Sequence, residues 1–584
     1  MHRRWFINKT NPEFLSYITK TASISPVLAQ VLINRGIRTP EAIREFMHPS
    51  ATALSDPFDI SGMRGAVERI QAALKGNERV LVHGDYDADG LTATAIVVHA
   101  LERAGLDVRY FIPVRMIHGY GFTPQAVDLA REIGARLIIT VDCGITSFEA
   151  AASARRAGID VIITDHHEPL RKRDDGHNGG AGATEGPAGE AVIPEALSVI
   201  NPKLPGHAGE VASLSGAGVA FKLVHALALA GVAGFPVDAA IGLLDLAAVG
   251  TVADVVPLAG ENRVLVREGL RLMKAAGRPG LRALRDICNL SGREMKSGLL
   301  AYTMVPRINA AGRMGESRDV VRLLLTADDA EADELSAWLD RLNAERQATE
   351  ELVYQEARVK LEGGGVDGAI VLAGEGWHQG VLGIVASRIA EEYYRPTFIL
   401  SVEDGVAKGS ARSIPAFDIC KGLAECSHLL LSFGGHRQAA GVRLHVSDIR
   451  TFHKAINELV KKSVDGRDLT PTIEIDALIS LSDITHPLMK EIAMLEPFGY
   501  GNAEPLFGSR GLEVVNPRSV GHNHLKMRLK KFAQSMDTIG FDMWGVFDDL
   551  NQPNMVDAVF TPGFNEWNGN RYLQLVVKAL RPSR

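Results

Sequence analysis

The sequence predicts an α/β protein in which a parallel-sheet domain is joined by a long helix to a second α/β domain, with a small β barrel at the C-terminal end. Three observations predict it. Between Arg79 and Asp165 short β-branched runs alternate with alanine-rich helical stretches, the pattern of successive βα units. From Asp328 to Leu361 runs one highly charged stretch with leucines at Leu335, Leu339 and Leu342, whose polarity suits a bridge between lobes better than a core helix. After Lys461–Asp468 the pattern turns to short strands and turns, as in a small barrel.

The elements follow in order. Val80–Val82, Leu137–Val141 and Val161–Thr164 read as strands, with helices near Thr92–Ala104, Pro124–Ile133 and Ser147–Ala157 between them. Strands that are apolar on both faces need helices on both sides, so this sheet should be parallel. Each of the three is followed by acid: Asp85–Asp89, Asp142 and Asp165. Ligands of open α/β sheets bind outside the carboxyl ends of the strands, so these carboxylates should meet on one edge. Residues 171–190 hold six glycines in twenty residues and no large apolar side chain, which reads as a flexible surface insertion. Helical patterns return from Gly218 to Val249. A second α/β region has strands near Ala369–Leu372 and Thr397–Val402, then a glycine-rich loop, Phe433–Gly441. The boundaries implied are an N-terminal segment 1–55, a first domain 56–325, a connecting helix 326–365, a second domain 366–465 and a barrel 466–584. A chain of 584 residues has room for about three to five domains.

Composition bounds the function. A formal charge of −7 is not the basic excess of a histone-like nucleic-acid binder, so any polyanion site must be local. Four cysteines without a CxxC pair fit reduced thiols and a cytoplasmic location. The N-terminus has no apolar stretch of secretory type. The longest apolar tract, Ala239–Leu258, is broken by Asp245 and Asp254, which argues against a membrane span; Asp245 reads as a helix-surface or structural acid.

The most informative segment is His83-Gly84-Asp85-Tyr86-Asp87-Ala88-Asp89-Gly90. Alternating carboxylates before a glycine resemble the start of an EF-hand loop, but the twelfth position is Ile96 where a bidentate glutamate is needed. Capping the helix that starts near Leu91 would employ one acid, and three are excessive. Like charges this close raise one another's pKa, so a cluster that stays ionised implies bound cations. Oxygen-rich ligands with imidazoles suit Mn²⁺ or Mg²⁺ better than structural zinc.

The segments DYDADG, VDCG, TDHH and GTVADVVPL, in that order, resemble the four motifs of the DHH phosphoesterase superfamily, and FGGHRQAAG resembles the signature of its companion DHHA1 domain. Length, the segment Pro306–Gly315 and the C-terminal β region make the chain similar to the RecJ family of single-strand-specific 5′ exonucleases. The resemblance covers roughly residues 55–584, and the insertion at 171–190 is its main departure. It implies a processive 5′→3′ exonuclease that hydrolyses single-stranded DNA to 5′-mononucleotides with two divalent cations, in recombination and repair. The partners implied are a single-strand binding protein and a RecQ-type helicase, with no membrane association.

Carried over by motif, one ion would take His83, Asp87 and Asp142 and the other Asp89, Asp142, His166 and Asp254, with Asp142 bridging. Asp85 would be a direct or an indirect ligand. His167 would either meet a phosphate or hold the loop; Asp165 would orient a histidine or cap the strand end, and Cys143 would be packing. Arg115, Ser410 and Arg412 would form a pocket for the 5′ phosphate. Arg307, Arg313 and Arg437 lie in contexts that look glycine-rich or turn-like, and His436 could reach a nearby phosphate. The strand Leu525–Lys530 alternates strictly, with cations on its outer face, and with Phe532, Trp544, Trp567 and Tyr572 suggests an oligonucleotide-binding barrel. Two other classes remain: a phosphodiesterase of short oligonucleotides or cyclic dinucleotides, and a non-catalytic DHH-fold DNA-binding subunit. The length and β region argue against the first, the intact acidic motifs against the second.

Overall fold

The computed structural model describes residues 3–114, 119, 121–171, 190–207, 209–275, 277–362, 366–464, 469–567 and 570–583. The chain forms two compact units. One comprises Trp5–Val305, Ser317–Asp333 and Glu474–Arg584; the other Pro306–Glu316 and Glu334–Ile473, with the first four residues. Among the described residues no helix is long and apolar enough to cross a membrane.

The larger unit is built on five parallel strands: β1 (Arg79–His83), β2 (Asp107–Phe111), β3 (Leu137–Val141), β4 (Asp160–Thr164) and β5 (Ser198–Ile200), in the order β2-β1-β3-β4-β5. Helix α1 (Ala88–Arg103) begins three residues earlier than its apolar pattern suggests, because Asp87 caps it by accepting from the amides of Asp89 and Gly90. Helices α2 (Pro124–Glu132) and α3 (Phe148–Arg156) lie on one face, where Ala126, Ala130, Ala150 and Ala154 pack with Leu81, Ile138, Val161 and Ile163. Helices α1 and α4 (Gly216–Leu229) contact the strands as well, and α5 (Leu244–Ala253) packs on both of them. Every residue of β3 is buried, as a sheet covered on both faces requires. Asp245, near the start of α5, is buried and pairs with Arg278 at 3.0 Å, so of the two expected readings it is the structural acid and not a helix-surface one. Residues 172–189 of the glycine-rich insertion lie outside the described residues; their flanks, Leu170–Arg171 and Ala191–Val192, pair as a short antiparallel ladder.

The same unit contains a closed barrel. Strands Phe507–Val520, His524–Lys531, Gln534–Gly540, Met555–Trp567 and Asn570–Pro582 pair in sequence, except that the third and fifth run parallel and the fourth closes on the first. Three of these strands have 13 or 14 residues, longer than the short strands the pattern suggested, and register shifts that leave extra residues in the first and fifth let them bend around the barrel. The expected alternation holds: Leu525, Met527 and Leu529 are buried, while Arg528 and Lys530 face outward and pair with Asp537 and Glu513. The barrel core continues into N-terminal helical residues such as Ile18, Leu28, Leu32 and Ile43.

Arg263, on helix α6 (Gly260–Lys274), ties this unit together. It is buried, stacks over the Phe46 ring at 3.9 Å, and donates to the carbonyls of Phe46, Met494, Leu495 and Glu496 at 2.8–3.0 Å. Burial, with Arg267 and Arg35 nearby, pulls its pKa down to about 9. Arg263→Ala leaves those carbonyls unpaired in the interior and should cost about 3–5 kcal/mol. A chemical-denaturation midpoint within error of the parent's would overturn this assignment.

In the smaller unit, helix α7 (Val305–Met314) precedes the long helix α8 (Asp329–Glu362), which begins in the larger unit. A five-stranded sheet follows, built from β6 (Ile370–Glu375), β7 (Thr397–Glu403), β8 (Val406–Arg412), β9 (Ser432–His436) and β10 (Ala439–His445), in the order β9-β10-β8-β7-β6. Only β6 and β7 run parallel. The segment Phe433–Gly441 is therefore a β-hairpin and not a loop. Glycine is disfavoured in strands, but a Cβ on Gly435 would lie 2.3 Å from the Ala439 carbonyl across the ladder, so the close pairing demands it. Arg307 and Arg313 likewise sit on helix α7, not in a turn: glycine and proline there occupy a helix that tertiary packing supports.

Candidate metal centre

The acidic residues gather at the carboxyl ends of β1, β3 and β4. Asp85 follows β1 and is buried, and Asp87 is the partly exposed cap of α1. Asp89, in the first turn of α1, is buried and accepts two hydrogen bonds from the N-terminus of α4: Gly216 N to Oδ2 at 2.7 Å and Ala217 N to Oδ1 at 2.9 Å. Asp142 leaves β3 in a left-handed conformation, φ 61°, which swings its carboxylate off the strand. Asp254 closes α5. His166 joins them, its Nε2 3.1 Å from Asp142 Oδ1 and 3.9 Å from Asp89 Oδ2, its Nδ1 3.6 Å from Asp254 Oδ2.

Three groups have donor atoms within 4.8 Å of one another: Asp85, Asp87 and Asp142; Asp89, His166 and Asp254; and Asp142, His166 and His167. Asp142 is shared between the first and third, His166 between the second and third. His83 is buried at the end of β1, outside these groups; its ring packs between Phe111 and Phe122, with Nδ1 3.6 Å from the Cys143 thiol.

The electrostatics are those of a cluster short of positive charge. Burial, then Asp87, raises Asp89 to about 7 against the pull of its two amide donors. Burial and the four neighbouring carboxylates push Asp142 well above the usual range, and burial with Asp89 and Asp87 raises Asp254 to about 8. Asp142 Oδ1 and Asp254 Oδ2 are buried and accept no hydrogen bond among the described residues. Buried carboxylate oxygens without donors are unfavourable unless a cation or a proton satisfies them, so the donor set fits hard divalent ions. Burial pulls His166 down to about 3, which keeps its imidazole neutral. Burial also pulls on His167, but its 2.7 Å hydrogen bond with Asp165 outweighs that and holds it up at about 9. Asp165 is buried and also accepts from the amides of Ile145, His166 and His167. It orients His167, and not the His166 that reaches the other carboxylates.

Three glycines shape the site, two of them, Gly90 and Gly250, inside the quoted motifs but with no role assigned there. A Cβ on Gly216 would stand 2.3 Å from Asp142 Oδ1; one on Gly250, 2.5 Å from Asp89 Oδ1; one on Gly90, 2.6 Å from the Asp85 Cβ. Only the sequence Ser215-Gly216-Ala217-Gly218, a cap residue opening an apolar helix, hinted at the first. Gly216→Ala should weaken Mn²⁺ binding by at least about tenfold, since shifts near 1 Å in such sites are costly. Calorimetric titration reads this, and unchanged affinity would show that Asp142 can move without consequence.

The predicted phosphate contacts divide. Arg115 lies outside the described residues. In the smaller unit, Ser410 and Arg412 share one face of β8 and approach the first turn of helix α9 (Leu382–Tyr393): a Cβ on Gly383 would be 3.0 Å from Arg412 Nη2 and 3.6 Å from Ser410 Oγ. Arg307 pairs with Asp340 at 2.8 Å, and Arg313 donates to the Gly380 carbonyl. His436 is exposed on the hairpin, and Arg437 donates to the Pro415 carbonyl. On the barrel, Phe532 and Tyr572 are 88% and 53% exposed. Trp544 packs against the barrel core instead, because the helix carrying it, Trp544–Asp549, turns it inward; the Trp567 side chain lies outside what is described.

With this geometry in hand, comparison with known proteins is specific. Residues 79–251 match the DHH family, N-terminal domain; residues 366–462 the DHHA1 domain; residues 475–579 the RecJ OB domain. The chain is 36% identical to the single-stranded-DNA-specific exonuclease RecJ of Bacillus subtilis (strain 168), over 98% of this chain and 70% of that protein. It is 34% identical to that of Escherichia coli (strain K12), over 96% of each. The crystal structure of RecJ in complex with Mn²⁺ from Thermus thermophilus matches with a TM-score of 0.83 at 34% identity, covering 100% of this chain and 80% of that one. Its counterpart with Mg²⁺ gives 0.78 at 32% identity, covering 100% and 79%.

Proposed function

This chain belongs to the RecJ family, and on that premise we propose that it is a metal-dependent exonuclease that degrades single-stranded DNA processively from the 5′ end to 5′-mononucleotides, in recombination and repair. The observation that carries the reading is the gathering of Asp85, Asp87, Asp89, Asp142, His166 and Asp254 at one sheet edge, with donor-free buried carboxylate oxygens. These residues, with His83, would hold two Mn²⁺ or Mg²⁺ ions, with Asp142 common to both. When bound, such a pair supplies an activated water and neutralises charge on both sides of an in-line phosphodiester displacement.

The chain's own groups do the rest. The N-terminus of α4 fixes both oxygens of Asp89, so this carboxylate is oriented before substrate arrives. Asp165 holds His167 in place beside the cluster, where its imidazolium would meet a phosphate oxygen. Ser410 and Arg412 against the first turn of α9, with Arg115, would receive the 5′ phosphate through charge-assisted hydrogen bonds, which gives the end preference. Arg307, Arg313 and His436 would contact the strand backbone. The barrel, with Phe532 and Tyr572 exposed, would bind bases by stacking. Residues 56–325 then carry the chemistry, 326–365 connect, 366–465 bind the end and 466–584 the strand, behind an N-terminal segment 1–55. A cytoplasmic location, and work beside a single-strand binding protein and a RecQ-type helicase, belong to the same reading.

The test is direct. With Mn²⁺ or Mg²⁺ the protein should release mononucleotides from 5′-phosphorylated single strands and leave duplex ends intact. Efficient cleavage of dinucleotides with none of longer strands would instead favour a phosphodiesterase of short substrates.

A further inference from the structure

Resting on the exonuclease reading, we propose that Tyr500 is a stacking platform for a nucleobase of the strand on its way between the acidic cluster and the barrel. Asp254 is followed by Val255, which adopts φ 58° and is 63% exposed. A β-branched residue rarely enters that conformation, and it persists only where the surroundings impose it. Here they do. Three residues on, the Leu258 amide donates to the Tyr500 carbonyl at 2.8 Å, and Asn262 holds the Pro257 carbonyl.

The turn that receives this segment is equally fixed. Gly499 and Asn502 bridge its ends, and Asn502, buried, donates to the carbonyls of Leu495 and Pro497 at 2.8 Å. A Cβ on Gly499 would lie 2.6 Å from Leu258 Cδ1, and one on Gly501 3.2 Å from Pro257 Cα. Gly501, at φ 72° and against Pro257, suits only glycine, while a side chain at Gly499 would displace that of Leu258; Tyr500 stands between them with its side chain turned to solvent, 63% exposed. A rigid backbone that presents an aromatic ring outward loses little entropy when a flat partner settles on it.

Continuity identifies the partner. On one side the turn is hydrogen-bonded to the residues that directly follow a carboxylate of the cluster. On the other, the chain passes within six residues into the first barrel strand at Phe507. The ligand common to both neighbours in the exonuclease reading is the single strand. Stacking suits an enzyme that must accept every base, because each base has a π-face.

The test uses the full chain with strands carrying 2-aminopurine at successive positions from a 5′ phosphate, in chelator so that nothing is cut. Wild type should quench one position most, Tyr500→Ala should lose that quenching, and Tyr500→Phe and Tyr500→Trp should keep it. With Mn²⁺, kcat/KM of Tyr500→Ala on unmodified strands should fall about 5- to 100-fold, mainly through KM. An abasic site at the same position should slow wild type but not Tyr500→Ala. An unchanged quenching profile and KM in Tyr500→Ala would overturn the platform while leaving the exonuclease reading intact. Quenching that depends on Tyr500 in a wild type that releases no nucleotides would support the platform and overturn the exonuclease.

Discussion

Asp142→Asn is expected to lose at least about a thousandfold in kcat/KM on single-stranded DNA and yet to melt at a higher temperature than the parent when both are kept in chelator at pH 8. The two effects share one cause. Asp142 belongs to two of the three donor groups found among the described residues, and on the proposed reading its removal would take a ligand from both ions. In the metal-free protein burial, and then repulsion by Asp89, Asp87, Asp85 and Asp254, pushes the pKa of the same carboxylate well up. Asparagine keeps the shape and deletes the charge. Nuclease assays paired with thermal melts check both halves; a variant that loses activity and also melts lower in chelator would mean that Asp142 is a structural acid.

A second large effect concerns pH. Asp89 and Asp254 have folded-state values near 7 and 8 against 3.8 when exposed. The folded protein therefore holds protons on these two groups that the unfolded chain has already released, and their contribution to stability falls as pH rises through the interval from about 4 to about 8, opposed below about 6.5 by His166, which the fold keeps neutral. The shift on Asp89 alone corresponds to about 4 kcal/mol; the two residues repel each other, so their contributions do not simply add. Divalent cations ligate the ionised forms and stabilise by mass action. Melting temperature in chelator should thus decline from pH 5 to pH 8, and Mn²⁺ should restore most of the loss at the upper end while doing little at the lower. A flat chelator profile would show that the carboxylates are relieved by some other group.

Much of this site was legible because its signals are local. Asp85, Asp87 and Asp89 lie in one heptapeptide, and Asp142 and Asp165 each end a β-branched run, so strand polarity alone brings them to one edge. The hidden part is what tertiary packing adds. Gly216 and Ala217 hold Asp89 across 127 and 128 residues of sequence, and nothing in their neighbourhood names that partner. The hairpin at 432–445 looked like a loop because glycine lowers strand propensity; only the 2.3 Å clearance at Gly435 gives the glycine its reason. Trp544 looked like a stacking residue for want of knowing which way its helix faces. Tyr500 drew no notice, since an aromatic between glycines in a turn is meaningful only once the turn is seen against Leu258.

The Arg263 staple bears on the order of synthesis. Its guanidinium sits on α6, but three of its four carbonyl acceptors lie 231 to 233 residues later in the chain. At about 5–20 residues per second on the ribosome, roughly 10 to 50 seconds separate the donor from those acceptors. Until then the arginine has only one of its four acceptors, the Phe46 carbonyl. A message truncated before codon 494 would therefore yield a chain that carries every acidic motif but lacks three of the four acceptors of Arg263.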